Sequence, residues 1–456
     1  MADSPSEAKP TSGTGAAAAT QTPKPKAQNP ALRMLGLPNL PRKLPSRNWM
    51  IFWAITGTFT SAIIYDKREK KRATAKWRRA VEPLSRELIH KPNQLPRKLT
   101  IYLESPPGDG LRAAQDHFIE YVKPVLSASG LDWEFVQGRQ QGDVRAAVAE
   151  KIRRSRWVEE RPGEEIPKTD DSIVEDLRKR MGVPEYEGMK GDVVIGRHTW
   201  KEYIRGLHEG WLGPLDAPPD APPQPEPMVE TKPATGEDAA SNEATGEKAV
   251  KEEAKEEVKD VKPARPPQPR PHNAPEDYPS ASLPIHIPVE FSPSTPIPFP
   301  HRLGFRHTFV RLGRFLNRRK LADDIGREVA AACFAASREW READGQFEQH
   351  LVHEPEENDW PKSVWKDEPT AEGDTPAEPA KEKIWTSPMV LDARIVERMR
   401  RFQMRPEDEE RAAGIIVPEE EIEGWIKGSF RGLWRWGAGA FESKPKGPNI
   451  GSLDDD

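Results

Sequence analysis

The side chains that could do chemistry are few and poorly grouped. His350 and His353 stand three apart with Glu354 beside them, which would put both imidazoles on one helical face and could hold a metal ion. No further His or Cys follows at ligand spacing, so the pair reads as a solvated polar patch. Cys333 is the single cysteine, which excludes an intramolecular disulfide, and in its alanine-rich helical stretch it reads as a small buried hydrophobe. No Walker A run and no G-x-G-x-x-G after a strand offers a phosphate cradle. No Ser/His/Asp or Cys/His constellation can be assembled from position. The expectation is a chain without catalytic, metal-binding or cofactor-binding residues, which weighs against an enzyme.

The elements that would position any such site form an alternating pattern. Lys98–Glu104 alternates like a strand and is followed by the turn Ser105-Pro106-Pro107-Gly108-Asp109-Gly110. Leu111, Ala114, Phe118, Val122 and Val125 then recur with helical spacing, with Pro124 expected to kink the last turn. Leu131–Val136 reads as a second strand, Asp143–Trp157 as a helix, Asp192–Ile195 as a third strand and Thr199–Gly210 as a third helix. Strand and helix in alternation predict an α/β class with a parallel sheet covered by helices.

The rest of the chain is unlike a packed core. Of 456 residues 35% are apolar, 31% are charged and 48 are proline, so about half the length is expected to be folded, with solvated connections between. The net charge of −5 is small for this length and gives no global field for nucleic acid.

Residues Asn48–Tyr65 carry no charge and are bounded by Arg47 and Asp66. At helical rise this run covers about 27 Å, enough to cross a hydrocarbon core. Trp49, Trp53 and Tyr65 sit near its ends like an aromatic belt. The expectation is a single N-terminal transmembrane helix. Ala54, Thr58, Ser61 and Ala62 share one side of it, a small-residue face open to a partner helix, or else a merely tolerant anchor. The charge rule favours keeping the C-terminal body on the cytoplasmic or matrix side, because Lys67 to Arg79 carry more basic residues than Arg33 to Arg47.

The expected organisation is a disordered tail over 1–47, the membrane helix over 48–65 and a basic neck helix over 66–96. The neck, broken by Pro83, either lies against anionic headgroups or is simply solvated. An α/β domain follows over 97–213, then a charged linker over 214–280. Residues 281–345 are expected to complete the body. There Leu283–Phe291 alternates as an edge strand restricted by Pro284 and Pro288, and Thr308–Arg319 and Leu321–Arg341 read as helices. An acidic Pro-rich linker over 346–385 precedes C-terminal amphipathic helices over 386–456, including Leu391–Phe402 and Glu419–Trp436.

The layout from Lys98 to Gly210 resembles the nucleotide-binding half of the diacylglycerol-kinase and NAD-kinase superfamily. The matching phosphate loops would be Ser105-Pro106-Pro107-Gly108 and Ile195-Gly196-Arg197-His198-Thr199. Arg197 stands where that superfamily has its aspartate and His198 where it has a glycine. The resemblance therefore implies a degenerate fold with the kinase activity lost.

A second resemblance is carried by longer stretches: Asn29-Pro30-Ala31-Leu32-Arg33-Met34-Leu35-Gly36-Leu37-Pro38, Leu44-Pro45-Ser46-Arg47-Asn48-Trp49, and Tyr65-Asp66-Lys67-Arg68-Glu69. Two more follow, Gly196-Arg197-His198-Thr199-Trp200-Lys201-Glu202-Tyr203-Ile204-Arg205-Gly206-Leu207 and Phe315-Leu316-Asn317-Arg318-Arg319-Lys320-Leu321-Ala322-Asp323. From residue 29 to about 340 the chain resembles the fungal fifty-four-kilodalton subunit of the mitochondrial inner-membrane carrier translocase. That resemblance implies a non-enzymatic subunit with its N-terminus in the matrix and its body in the intermembrane space. It implies as partners the channel-forming subunit, the small intermembrane-space chaperones, carrier-protein substrates and inner-membrane lipids, with no cofactor and no nucleic acid. It also reverses the orientation that the charge rule favours.

Overall fold

The computed structural model describes residues 46–87, 94–164, 170–183, 186, 188–218, 268–366 and 382–441. The N-terminal tail, the centres of both expected linkers and the C-terminal tail lie outside them. The chain divides into two units, residues 1–61 and 62–456.

Helix α1 (Arg47–Val81) begins in the first unit, where its side chains are exposed and the Thr58 hydroxyl donates to the Ala54 carbonyl at 2.8 Å. Among the described residues no helix is long and apolar enough to cross a membrane. Thr56, Gly57, Thr58, Thr60 and Ser61 dilute the apolar run at its centre.

In the second unit the neck does not lie free. Asp66, Ala75, Trp77, Ala80 and Val81 are buried, and the helix ends in a 3₁₀ turn, Glu82–Arg86, where Pro83 was expected to break it. Its residues at spacings of three and four face the body, so the basic stretch is amphipathic rather than uniformly solvated.

The sheet grows from β1 (Lys98–Glu104), β2 (Asp132–Gly138), β3 (Gly191–Ile195), β4 (Ser294–Ile297), β5 (Ser337–Glu339) and, last in the chain, Arg400–Phe402. Two short strands, β6 (Glu342–Ala343) and β7 (Gln346–Phe347), form a separate hairpin, so Arg400–Phe402 is β8. The order is β2-β1-β3-β4-β8-β5, parallel throughout except for β5. Between β1 and β2 run α2 (Leu111–His117), a π-helical turn at Phe118–Val122, and α3 (Lys123–Ser129). The π turn stands where Pro124 was expected to kink the helix and absorbs the missing N–H donor.

Between β2 and β3 run α4 (Asp143–Glu160) and α5 (Asp170–Arg180), and α6 (Arg197–Leu212) follows β3. Alternation along β1 sends Leu99, Ile101 and Leu103 into one core, with Val122, Leu126, Ile325 and the neck residue Trp77. Tyr102 faces the other core, with Val148, Trp200, Tyr203 and Ile204 from α4 and α6.

Four further expectations are corrected. Leu283–Phe291 is not a strand: Pro284 and Pro288 remove ladder donors, Ile285 and Val289 stand in solvent, and the strand forms at Ser294–Ile297 instead. The second helix of that region ends at Phe334, capped by Ala335 in the left-handed conformation, and β5 occupies part of what read as its last turns. Leu391–Phe402 is not one helix but a short helix, Ala393–Val396, and β8, because Phe402 belongs in the sheet core with Leu99 and Val193. Both linker ends are ordered. Residues 268–280 lead into a 3₁₀ turn that buries Tyr278, and residues 348–360 hold α9 (Glu348–Leu351) and a 3₁₀ turn at Glu354–Asp359.

Helices α7 (Thr308–Phe315) and α8 (Arg318–Phe334) follow β4, and α10 (Ala393–Val396) precedes β8. The described chain closes with α11 (Pro406–Ala413), α12 (Glu419–Ile422) and α13 (Trp425–Phe441).

Candidate functional site

In a sheet of this order the crevice for ligands lies at the carboxyl ends of β1 and β3, where successive crossovers depart to opposite faces. Glu104 ends β1 there, and Gly196, Arg197 and His198 turn the chain from β3 into α6. Gly196 has φ +88°, and a Cβ on it would come within 2.9 Å of the His198 ring, so this turn requires glycine.

The crevice is filled by the chain itself. The Glu356 carboxylate accepts from the backbone N–H of Arg197 at 3.1 Å and of Phe299 at 2.8 Å. A carboxylate thus takes the place at the amino end of α6 that an anionic ligand would use. Burial pushes Glu356 up to about 7, against the pull of those two amides. The Arg197 guanidinium is buried and donates to Glu357 and to the carbonyls of His350 and Val352, each at 2.7 Å. It pins the 348–360 segment over the crevice. Lys201 adds a bond to the Trp385 carbonyl, and burial lowers its pKa.

Below this plug sits a pair of buried acids. Glu202 accepts from the Gly142 N–H at 2.7 Å, the Arg145 N–H at 3.3 Å and the Trp385 indole at 3.1 Å. Burial and the facing Glu202 carboxylate push Glu104 well above the ordinary carboxylate range, so it is held as a neutral acid. The His198 Nε2–H donates to the Glu104 backbone carbonyl at 3.1 Å, and burial drops the imidazole pKa to about 4, leaving it neutral. Burial raises Glu202 as well, against the pull of the Gly142 and Arg145 amides, and two facing carboxyls that share a proton could serve as an acid and a base. Both are fully enclosed by the chain, however.

All sixteen residues of α6 are buried. Its charges are met by ends of the chain that read as linkers. Arg145 and Arg153 hold Glu209 below the carboxylate range even though burial alone would raise it. Arg205 bonds Glu382 at 2.7 Å and Asn273 at 2.9 Å, and the His272 N–H donates to Glu209 at 3.2 Å. Gly206 lets α6 approach α4 closely, since a Cβ there would lie 2.7 Å from the Arg145 carbonyl.

The residues singled out in the sequence therefore fall into three places. Gly196, Arg197, Lys201, Glu202, Tyr203, Gly206 and Leu207 converge on α6, where Tyr203 donates to Asp192 at 2.7 Å and Leu207 packs in the core. Phe315, Asn317, Arg318 and Arg319 lie at the α7–α8 junction, where the Arg319 N–H donates to the buried Asp66 at 3.3 Å. Ala54, Thr58, Ser61 and Ala62 lie on α1, away from both groups in sequence.

Glu356, Glu357 and Trp385 were missed because they lie in stretches read as solvated linker. Trp360 and Ile384, both buried, were the available signal, since large apolar residues in an acidic tract need cover. The His350 backbone carbonyl accepts from Arg197, and the His353 ring faces the Pro296 carbonyl at 3.4 Å. Cys333 is buried, and burial pushes its thiol up to about 11.

The family model described as "Inner membrane protein import complex subunit Tim54" matches residues 29–402, so the match runs past the resembling stretches to the end of β8. A Neurospora crassa protein named mitochondrial import inner membrane translocase subunit tim54 is 59% identical, over 92% of this chain and 90% of its own length. An Aspergillus oryzae protein of the same name is 42% identical, over 92% of this chain and 99% of its own. A Candida albicans protein of that name is 34% identical, over 84% and 98%. The chain belongs to the Tim54 family of inner membrane protein import complex subunits.

Proposed function

We propose that the chain is a non-enzymatic subunit of the mitochondrial inner-membrane translocase, a scaffold that helps insert multi-spanning carrier proteins. The observation that carries this reading is the self-filled crevice: Glu356, Arg197 and Trp385 occupy the one place where a parallel sheet of this kind takes a nucleotide. A body built in this way offers surfaces rather than a reaction centre. Relatives named as translocase subunits support the same reading.

On this reading Asn48–Tyr65 anchors the chain in the inner membrane with the N-terminus in the matrix and the body in the intermembrane space. Its partners are the channel-forming subunit and the small chaperones that deliver carrier substrates. The Ala54, Thr58, Ser61 and Ala62 face meets a neighbouring membrane helix.

A thermal-stability assay on the purified chain tests the non-enzymatic reading. Mg-ATP at about a hundred times a dissociation constant would add roughly 2.7 kcal/mol to a true binder. No shift is expected, and a clear shift would restore a kinase. Protease added to mitochondria with a ruptured outer membrane should digest the body and spare the N-terminal segment. Protection of the body would reverse the orientation.

A further inference from the structure

We propose that α7 and its aromatic flank form a lipid-contacting face, seated in the headgroup layer of an anionic bilayer beside Tyr65 and Asp66. This rests on the anchor reading above and adds to it a second membrane contact, made by the body.

Every residue of α7 is exposed. A helix of eight residues is too short to persist in water without packing, and the stripe of Phe305, Phe309 and Leu312 along and just before it, spaced four and three apart, has no cover among the described residues. Phe305 is 93% exposed and Phe309 85%. Two observations say what covers the stripe.

The first is position. Four residues beyond α7, the chain is tied to the end of the uncharged run and the aspartate that bounds it. The Arg319 N–H donates to buried Asp66 at 3.3 Å, and its guanidinium stacks 5.2 Å from the centre of the Tyr65 ring. A bilayer crossed by Asn48–Tyr65 must have its headgroup layer at Tyr65, and α7 ends next to the residues tied to that level.

The second is charge. Arg306 and Arg311 are exposed, lie off the apolar stripe, and pair with no acid among the described residues. Neighbouring Arg302 and Arg314 pair with Asp359, and Arg318 with Glu120. Free arginines beside an exposed aromatic stripe match an interfacial helix on anionic lipid. A groove on a protein would need only the stripe.

The C-terminal helices approach the same level. Glu419 of α12 pairs with Arg68 at 2.8 Å, and α13 beyond it exposes Leu433, Trp434 and Trp436. Tryptophan with basic neighbours is the composition of a headgroup-level belt.

The test uses the full chain in proteoliposomes of phosphatidylcholine with an anionic phospholipid. Single cysteines carrying a nitroxide are placed by Ile55→Cys, Phe309→Cys and Ile285→Cys. Buried Cys333 does not compete for label, and Ile285, as exposed as Phe305, is the solvent control. The label at 309 is expected to collide with oxygen in preference to a water-soluble nickel chelate, as the label at 55 does, and the label at 285 to show the reverse. The preference at 309 should weaken when the anionic lipid is omitted. A label at 309 that behaves like 285 while 55 is in lipid overturns this inference and leaves the anchor standing. Nickel access at both 55 and 309 overturns the anchor and this inference together. A label at 309 shielded only in native mitochondria, and not in proteoliposomes, also overturns it, because a protein partner is then the cover.

Discussion

Replacing Arg197 by methionine keeps the length and bulk of the side chain and removes its charge and all its donors. The guanidinium is buried and makes 2.7 Å bonds to Glu357 and to the His350 and Val352 carbonyls. Taking one partner out of a fully buried ion pair costs about 3–5 kcal/mol. The Glu357 side chain keeps 21% of its surface in water, so the penalty for stranding it is smaller, and about 2–4 kcal/mol is the expected loss. For a body of this size that is a fall in Tm of roughly 5–10 °C. The segment 348–360 should loosen first, because Arg197 is what holds it over the crevice. A thermal melt of the full chain in detergent, with hydrogen exchange read on peptides covering 348–360, checks both. Unchanged exchange in that segment with a melt within about 1 °C of wild type would refute the reasoning. Arg197→Asp should be worse, since a third carboxylate would join Glu356 and Glu357, and it should not confer nucleotide binding.

Three other outcomes are expected. Glu356 titrates at about 7 in the folded chain, raised by burial from 4.5, so its contribution is intact below pH 4.5 and is lost as pH rises through about 7. Between pH 5 and pH 8 wild type should lose up to roughly 3 kcal/mol relative to Glu356→Gln, on top of a pH-independent cost of turning the amide NH2 toward one of the two backbone N–H donors, and stability curves that stay parallel across that range would contradict this. Gly206→Ala gains about 1 kcal/mol of helix propensity but forces a Cβ to 2.7 Å from the rigid Arg145 carbonyl, so a net loss of about 1–2 kcal/mol is expected. A more stable alanine variant in denaturant titration would be the wrong sign. Ser61→Leu with Ala62→Leu should weaken association with neighbouring membrane subunits while the chain stays in the bilayer. An unchanged complex on native gels would show that the body, not the span, makes the attachment.

The parallel core was legible because its signals are local. Lys98–Glu104 and Asp192–Ile195 are β-branched and apolar runs between turns, and both are strands within a residue of their expected ends. What failed was context. Leu283–Phe291 alternates without fault, yet its prolines leave donors missing, and Ser294–Ile297, with a proline of its own, takes the place beside β3. Residues 348–360 and 382–385 sit in an acidic, proline-rich tract whose apolar residues signal only burial, and nothing nearby in sequence says that Arg197 and Glu202 await them across more than a hundred residues. Arg197 stands in the first turn of α6, directly after β3. Its partners could not be named without the fold. In the neck, positive charge masked the buried stripe of Ala75, Trp77 and Ala80.

The proposal stands or falls on the company the chain keeps in the membrane. Affinity purification of the full chain from gently solubilised mitochondria, read by mass spectrometry and native gel, measures this directly. The expected result is a stable complex containing a channel-forming membrane subunit of the import machinery together with small intermembrane-space chaperones. Recovery of the chain alone, or with metabolic enzymes and no import component, would contradict it.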